Sequence, residues 1–533
     1  MSGMAWSLRR WWMLAVSGGC SLTLFPGVGE LTSTASATSE LTSVASVSLA
    51  ANESASAKAT TVASVSATKE VASTIARSPW HPAWETRVVL TGASTPPSGG
   101  CGTTVRSVEP PGGSYDNVSP ASKAGGPPVG DMMRVNLFGA NSELPEDVRA
   151  RALSAVDLRA LKAEPLRGKP EDLARLKQLF AKPPTDRPIR IGVWGASHVA
   201  GEYLTGSLRR LLQERFGDAG HGFVMPAAPW TGYRATDVSV CTAGTWASDY
   251  DRRAGGRNDG RLGPGGILVE SSSSESSGWI QTTRESAYGR EVNRFEVLYL
   301  RQPGGGSLQI RIDDREPIVA KTASDAPGPG VHVIEVPRGP HRLSVQPVGD
   351  GPVRIVGANM ELDGPGVVVD AMGINGRQAS SWTRWDLGEM EQWQRRRPWD
   401  IVVLAYGTNE GNDAEFKPEK YQESLRRVLS EMRTAVGDDT QCILFGPGDR
   451  AKRVSDSTYV IWEPHVHVAR IQREVGAEFG CLAWDVQAAM GGPGASLGWL
   501  KHDPSLMGGD LIHFSATGYQ ELATRFVDRL LNP

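Results

Sequence analysis

From Pro188 onward the chain alternates short apolar runs with helical periodicity, and few folds accommodate that pattern. Strands separated by helices must pair in parallel, with helices covering both faces of the sheet. Ile189-Arg190-Ile191-Gly192-Val193-Trp194 reads as the first strand, after which Leu204, Leu208, Leu211, Leu212 and Phe216 share one helical face. The rhythm then breaks off and resumes beyond Pro365, with strand patterns from Val367 to Ala371, Ile401 to Tyr406, Cys442 to Gly446 and Cys481 to Asp485. Between them Tyr421, Leu425, Val428, Leu429 and Met432 share a helical face, as do Leu522, Phe526 and Leu530 near the end. The expected fold is a three-layer α/β/α domain split in sequence into 188–235 and 366–533.

The interruption, 236–365, has the period-two texture of an all-β unit. Leu308-Gln309-Ile310-Arg311-Ile312-Asp313 and Val331-His332-Val333-Ile334-Glu335-Val336 alternate apolar and polar residues between turns rich in Gly and Pro. An inserted β-sandwich is expected. Trp246, Trp279 and Tyr299 within it could stack on sugar rings, although core packing is the commoner use of such residues.

Upstream the sequence is poor in core-forming residues. Arg9 and Arg10 precede an apolar run from Trp11 to Phe25 and then Ala35-Ser36-Ala37, so residues 1–37 read as an export signal or a retained membrane anchor. Residues 38–130 are dominated first by Ser, Thr, Ala and Val and then by Gly and Pro, which predicts a disordered tether. Short helical patterns such as Glu171-Asp172-Leu173-Ala174-Arg175-Leu176-Lys177 make 131–187 a helical linker. This organisation places the folded part in the periplasm, the cell envelope or outside the cell. Charged residues amount to 22% with a formal net charge of −3, which supplies no basic field for nucleic acid. Beyond Cys20, export permits disulfides among Cys101, Cys241, Cys442 and Cys481, which allow three pairings. Cys442 and Cys481 lie in apolar runs and read more simply as small buried hydrophobes. His465 and His467, two apart on a helix, cannot chelate one metal and read as solvent-facing.

Acyl transfer needs a nucleophile, a base, a group that orients the base, and donors for an oxyanion. Gly195-Ala196-Ser197-His198 follows the first strand and opens the first helix, placing Ser197 near backbone donors. Gly509-Asp510-Leu511-Ile512-His513-Phe514 precedes the last helix, and the spacing of Asp510 and His513 lets both side chains face one way. Gly376, in Gly373-Ile374-Asn375-Gly376-Arg377, and Asn409, in Tyr406-Gly407-Thr408-Asn409-Glu410, follow two other strands. Ligands in open parallel sheets sit beyond those strand ends. Each piece alone is ordinary: a helix cap, a turn glycine, a turn asparagine, a loop histidine. All four in this order and context point to an acyl-serine site with Ser197 N–H, Gly376 N–H and Asn409 as oxyanion donors, and such a site requires neither cofactor nor metal.

These four segments resemble the signature blocks of the SGNH, or GDSL-like, hydrolases, whose Ser, Gly, Asn and His fall on Ser197, Gly376, Asn409 and His513, with the acid at Asp510. Ala196 stands where that group usually carries Asp. Within the group the chain is most similar to bacterial peptidoglycan O-acetylesterases, also through Gly217-Asp218-Ala219-Gly220-His221-Gly222-Phe223 and Trp484-Asp485-Val486-Gln487. The resemblance implies a flavodoxin-like sheet, an insert like a carbohydrate-binding module, and removal of a small acyl group from an O-acetylated polysaccharide. An O-acyltransferase would share the acyl-serine, and a glycan-binding surface protein would keep the fold without the chemistry.

Overall fold

The structure, a computed structural model, describes residues 82–97, 132–251, 256–413 and 416–533. The expected export signal and most of the expected tether lie outside the described residues. Five strands form the parallel sheet, in the spatial order Val367–Gly373, Ile189–Gly195, Ile401–Ala405, Gln441–Phe445, Cys481–Trp484. Numbered along the chain this is 2-1-3-4-5, the flavodoxin-like order, whose direction reverses beside the first strand.

Alternation along these strands divides the core in two. Val402, Leu404, Cys442 and Leu444 face one side, under the helices Leu387–Arg396, Pro418–Val436 and Pro464–Glu478. Ile401, Val403, Ile443 and Phe445 face the other, under Tyr203–Phe216 and Ala516–Leu531. A strand buried on both faces shows no polar alternation, which is why these segments read as unbroken apolar runs.

Residues 132–187 are not a linker. Val148, Leu176 and Phe180, from the helices Glu146–Leu153 and Pro170–Ala181, are buried in the second of these clusters. Arg167 bridges Ala483 of the last sheet strand, and the strand Arg134–Asn136 pairs with Thr458–Ile461. Short amphipathic helices need a partner to hold them, and here the partner is the sheet. The expected tether is also interrupted: Glu85–Val89 is a strand paired in parallel with Gly328–Gly339.

Between the first two strands of the parallel sheet the chain builds two further sheets. One has seven strands, joined by Glu85–Val89 and by Gly222–Val224; the other has five. Leu298, Ile310 and Leu343 from these sheets belong to the same apolar cluster as Val402 and Leu404, so the core is continuous between them. Charge sets the register of this junction. Arg397, after the helix Leu387–Arg396, donates to Asp370 at 2.6 Å and to Glu361 at 2.7 Å, and Arg190 also pairs with Glu361. Buried and fully paired, such a network fixes one arrangement, because removing a single partner strands a charge. Trp246 and Tyr299 are core residues, while Trp279 lies partly exposed beneath the Arg342 guanidinium at 4.2 Å.

Two sequence expectations are corrected. Cys442 and Cys481 are in register on neighbouring strands with Cα atoms 4.5 Å apart, and they form a disulfide. Only the strand order reveals that proximity. His465 is buried between the carbonyls of Gly448 and Thr408, at 3.0 and 3.3 Å; only His467 is exposed.

Candidate active site

Ser197 opens the short helix Ser197–Ala200 directly after the first sheet strand. The turn closes on the backbone alone: Val199 N–H and Ala200 N–H donate to the Ala196 carbonyl at 3.0 and 2.9 Å. The nucleophile turn therefore forms without a side chain from residue 196, whose alanine is buried. As a first-turn residue Ser197 has an N–H with no acceptor inside its helix.

His513 comes from the loop before the last helix, which folds back on itself through Gly508 N–H to the His513 carbonyl at 2.7 Å. Ser515 caps that helix by accepting from Gly518 N–H. Asp510 Oδ1 accepts from the N–H groups of Ile512 and His513, each at 3.0 Å, which leaves Oδ2 to meet His513 Nδ1 at 2.6 Å. His513 Nε2 lies 2.8 Å from Ser197 Oγ. With the proton on Nδ1, the hydroxyl donates to Nε2. Partial burial pushes the Asp510 carboxyl up, but the hydrogen bonds from His513 and Ile512 outweigh it and hold it at about 2. The carboxylate stays ionised at any pH where the imidazole can act.

Gly376 occupies the third position of a turn closed by Arg377 N–H donating to Ile374 O at 3.2 Å. Its φ of +73° is the left-handed value that this position requires of glycine, and the space where a Cβ would stand is empty. Asn409, in the turn of helix Thr408–Gly411 after the third strand, donates one amide N–H to Arg377 O at 2.8 Å and keeps a second. The structure thus brings Ser197, His513 and Asp510 into one hydrogen-bonded chain, and Asn409 is bonded to the Gly376 loop, each following one of the two strands that flank Ile189–Gly195.

Three supporting residues escaped the sequence reading. Glu410 binds both loops: its carboxylate accepts from Ala379 N–H at 2.7 Å and Gly407 N–H at 2.9 Å, and burial pushes its pKa up. Placed three residues after Gly407, it makes the acidic half of a capping box, without the Ser or Thr that would mark the motif in sequence. His198 stands behind the site with its ring centroid 5.2 Å from that of His513, and its Nδ1 meets Tyr519 OH at 2.8 Å. Burial and the nearby His513 pull its pKa down to about 3, so it stays neutral beside the His513 imidazole. A hydroxyl in contact with an imidazole held by a carboxylate, next to backbone and amide donors, is equipped to attack an ester carbonyl and stabilise the resulting oxyanion.

The GDSL-like Lipase/Acylhydrolase family matches residues 347–521. Among solved structures, a peptidoglycan O-acetylesterase is 25% identical and superposes with a TM-score of 0.55 over 70% of this chain and 97% of its own. A GDSL-like lipase from Parabacteroides merdae matches at 17% identity, TM-score 0.24, over 31% of this chain and 73% of that one. A family two carbohydrate esterase from Cellvibrio japonicus matches at 9% identity, TM-score 0.22, over 58% and 98%. No curated protein matches in sequence. The family match ends at residue 521 and takes in Gly376, Asn409, Asp510 and His513; Ser197, outside it, falls in the part of the chain that only the structural likeness can reach. Residues 347–521 thus match the GDSL-like Lipase/Acylhydrolase family, and over 70% of its length the chain is similar to a peptidoglycan O-acetylesterase.

Proposed function

We propose that this protein is an exported serine esterase that removes O-acetyl groups from a cell-wall or extracellular polysaccharide. The observation that carries the reading is the chain from Ser197 Oγ through His513 to Asp510, at 2.8 and 2.6 Å, at the carboxyl end of a parallel sheet. Ser197 attacks the acetyl carbonyl while His513 takes its proton, and Asp510 holds the imidazolium that forms. Ser197 N–H, Gly376 N–H and the free amide N–H of Asn409 receive the oxyanion. His513 then returns the proton to the departing sugar hydroxyl. Water, activated by the same imidazole, cleaves the acyl-serine and releases acetate.

Three features support the substrate and location. The likeness to a peptidoglycan O-acetylesterase spans most of both chains. The two further sheets are read as an inserted sandwich like the carbohydrate-binding module that the family resemblance implies. The Cys442–Cys481 disulfide suits an oxidising compartment beyond the cytoplasm, reached through the N-terminal signal or anchor. The test is acetate release from O-acetylated peptidoglycan and a panel of other acetylated polysaccharides by the full chain and by Ser197→Ala. The expected result is release by the wild type and none by the variant; turnover retained in Ser197→Ala refutes the acyl-serine mechanism. Transfer of acetyl to an added glycan, with little free acetate, would recast the enzyme as a transferase.

A further inference from the structure

The loop that carries Gly376 is held from outside the parallel sheet. Arg377 follows Gly376, and its carbonyl accepts from Asn409 Nδ2 at 2.8 Å, so both side-chain and backbone oxyanion donors meet at this residue. Its guanidinium Nη1 donates to the Asp251 carbonyl at 2.8 Å, and the group lies over the Tyr250 ring at 5.1 Å. Tyr250 ends the strand Ala247–Tyr250, an edge of the seven-stranded sheet. The Asp251 side chain is almost fully buried and meets Arg384 Nε at 3.3 Å, from the short helix Ala379–Arg384 that continues the same catalytic loop. Just beyond, Asp386 N–H donates to Gly260 O at 2.9 Å. Four contacts thus bind one stretch of the hydrolase domain to one edge of the all-β sheets.

The turn at Gly376 needs such support. Glycine in an open left-handed turn has no side chain to pack, and its backbone has more conformational freedom than that of any other residue type. An N–H must be fixed before the reaction if it is to stabilise developing charge without reorganising. The proton chain from Ser197 to Asp510 does not involve Arg377.

We propose that Arg377 is a positioning residue that ties the edge strand Ala247–Tyr250 to the oxyanion loop, so that the all-β sheets set the geometry of the donors at Gly376 and Asn409. This rests on the acyl-serine reading above. On it, the second set of sheets is part of the catalytic apparatus.

The experiment compares the full chain with Arg377→Ala, Arg377→Lys, Tyr250→Leu and Ser197→Ala. It measures kcat and KM for p-nitrophenyl acetate, the rate of Ser197 phosphonylation by a fluorophosphonate, and the thermal midpoint. A small ester makes no contact with a distant glycan site, so it isolates geometry at the hole. Arg377→Ala is expected to lower kcat roughly 10- to 100-fold, part of what loss of a donor costs, and to slow phosphonylation by a similar factor. KM should stay within about two-fold, the signature of an interaction made in the transition state. Arg377→Lys, which keeps a donor for the Asp251 carbonyl, should recover part of the loss. Tyr250→Leu, which leaves the loop sequence intact, should lower kcat by roughly 2- to 5-fold, as removal of one weak stacking contact would; it serves also if Arg377→Ala fails to fold. Wild-type kcat in Arg377→Ala, or in Tyr250→Leu if the first variant does not fold, overturns the proposal. So does a defect confined to KM for p-nitrophenyl acetate, which would make Arg377 a substrate contact. Activity in Ser197→Ala would sink the acyl-serine reading as well, whereas an inactive Ser197→Ala beside a normal Arg377→Ala sinks only this one.

Discussion

Replacing Asp510 with Asn tests how the carboxylate works, because the structure dictates which way the amide must turn. Asp510 Oδ1 accepts two backbone N–H groups at 3.0 Å, from Ile512 and His513. An amide has one oxygen, and two net hydrogen bonds at roughly 0.5–1.5 kcal/mol each keep it there. The NH2 group then occupies the position of Oδ2, 2.6 Å from His513 Nδ1, and donates to it. The imidazole must carry its proton on Nε2, where it faces Ser197 Oγ and can no longer accept. In a fully enclosed triad the same exchange costs about 10⁴ in kcat. Here the side chains of Asp510 and His513 are 45% and 30% exposed, so water competes for Nδ1 and screens the pair. The expected loss is therefore smaller, about 10²–10³ in kcat, or about 2.7–4 kcal/mol at 1.36 kcal/mol per decade. Asp510→Ala removes the holder without imposing a tautomer, so it should lose no more than Asp510→Asn. The assay is kcat on p-nitrophenyl acetate for both variants. Asp510→Asn within ten-fold of wild type, or Asp510→Ala clearly the worse of the two, would show that tautomer control is not what this carboxylate contributes.

Other expectations follow from buried groups. Burial pushes the Glu389 carboxyl up to about 7, only partly offset by Trp393 Nε1, Arg261 and Gly263 N–H. A raised acid holds its proton longer folded than unfolded, so stability falls between about pH 4.5 and 7, by at most about 3–4 kcal/mol at 1.36 kcal/mol per unit. Glu389→Gln should therefore be more stable than wild type above pH 7 in urea melts, and equal stability at pH 8 would count against the shift. Asp510, held at about 2, has the opposite sign: its small, solvent-screened contribution is present above about pH 4 and is lost as pH falls through 2. Opening the Cys442–Cys481 bridge frees a loop of 39 residues, and the Ala/Ala double variant should lose about 3–4 kcal/mol in denaturant titration; an unchanged midpoint would show that the bridge adds nothing. A Cβ on Gly373 would lie 2.2 Å from Ala200 N, so Gly373→Ala should displace the nucleophile helix and lower kcat by at least about ten-fold. Wild-type turnover in that variant would mean that the Ser197 turn tolerates movement.

The strands of the parallel sheet and the residues of the proton chain were legible in sequence because they rest on local pattern. A strand buried on both faces must be apolar throughout, as Ile401–Ala405 and Gln441–Phe445 are. The candidate site groups Ser197, Gly376 and Asn409 each follow a strand of the sheet. What pairs with what across long separations is not local, and there the reading failed or was silent. The helices of 132–187 find their partner in a sheet face more than two hundred residues away, the disulfide depends on which strands are neighbours, and His465 is buried only because the loops at Gly448 and Thr408 converge on it. The grip of Arg377 on Asp251 belongs to the same class. The amino-acid sequence by itself determined that a hydroxyl, an imidazole and a carboxylate would lie at the end of a parallel sheet, since periodicity and turn chemistry act over a few residues. Only tertiary packing decided that the all-β sheets grip the loop of Gly376 and Arg377, because the angle at which two apolar surfaces meet is set by every side chain between them.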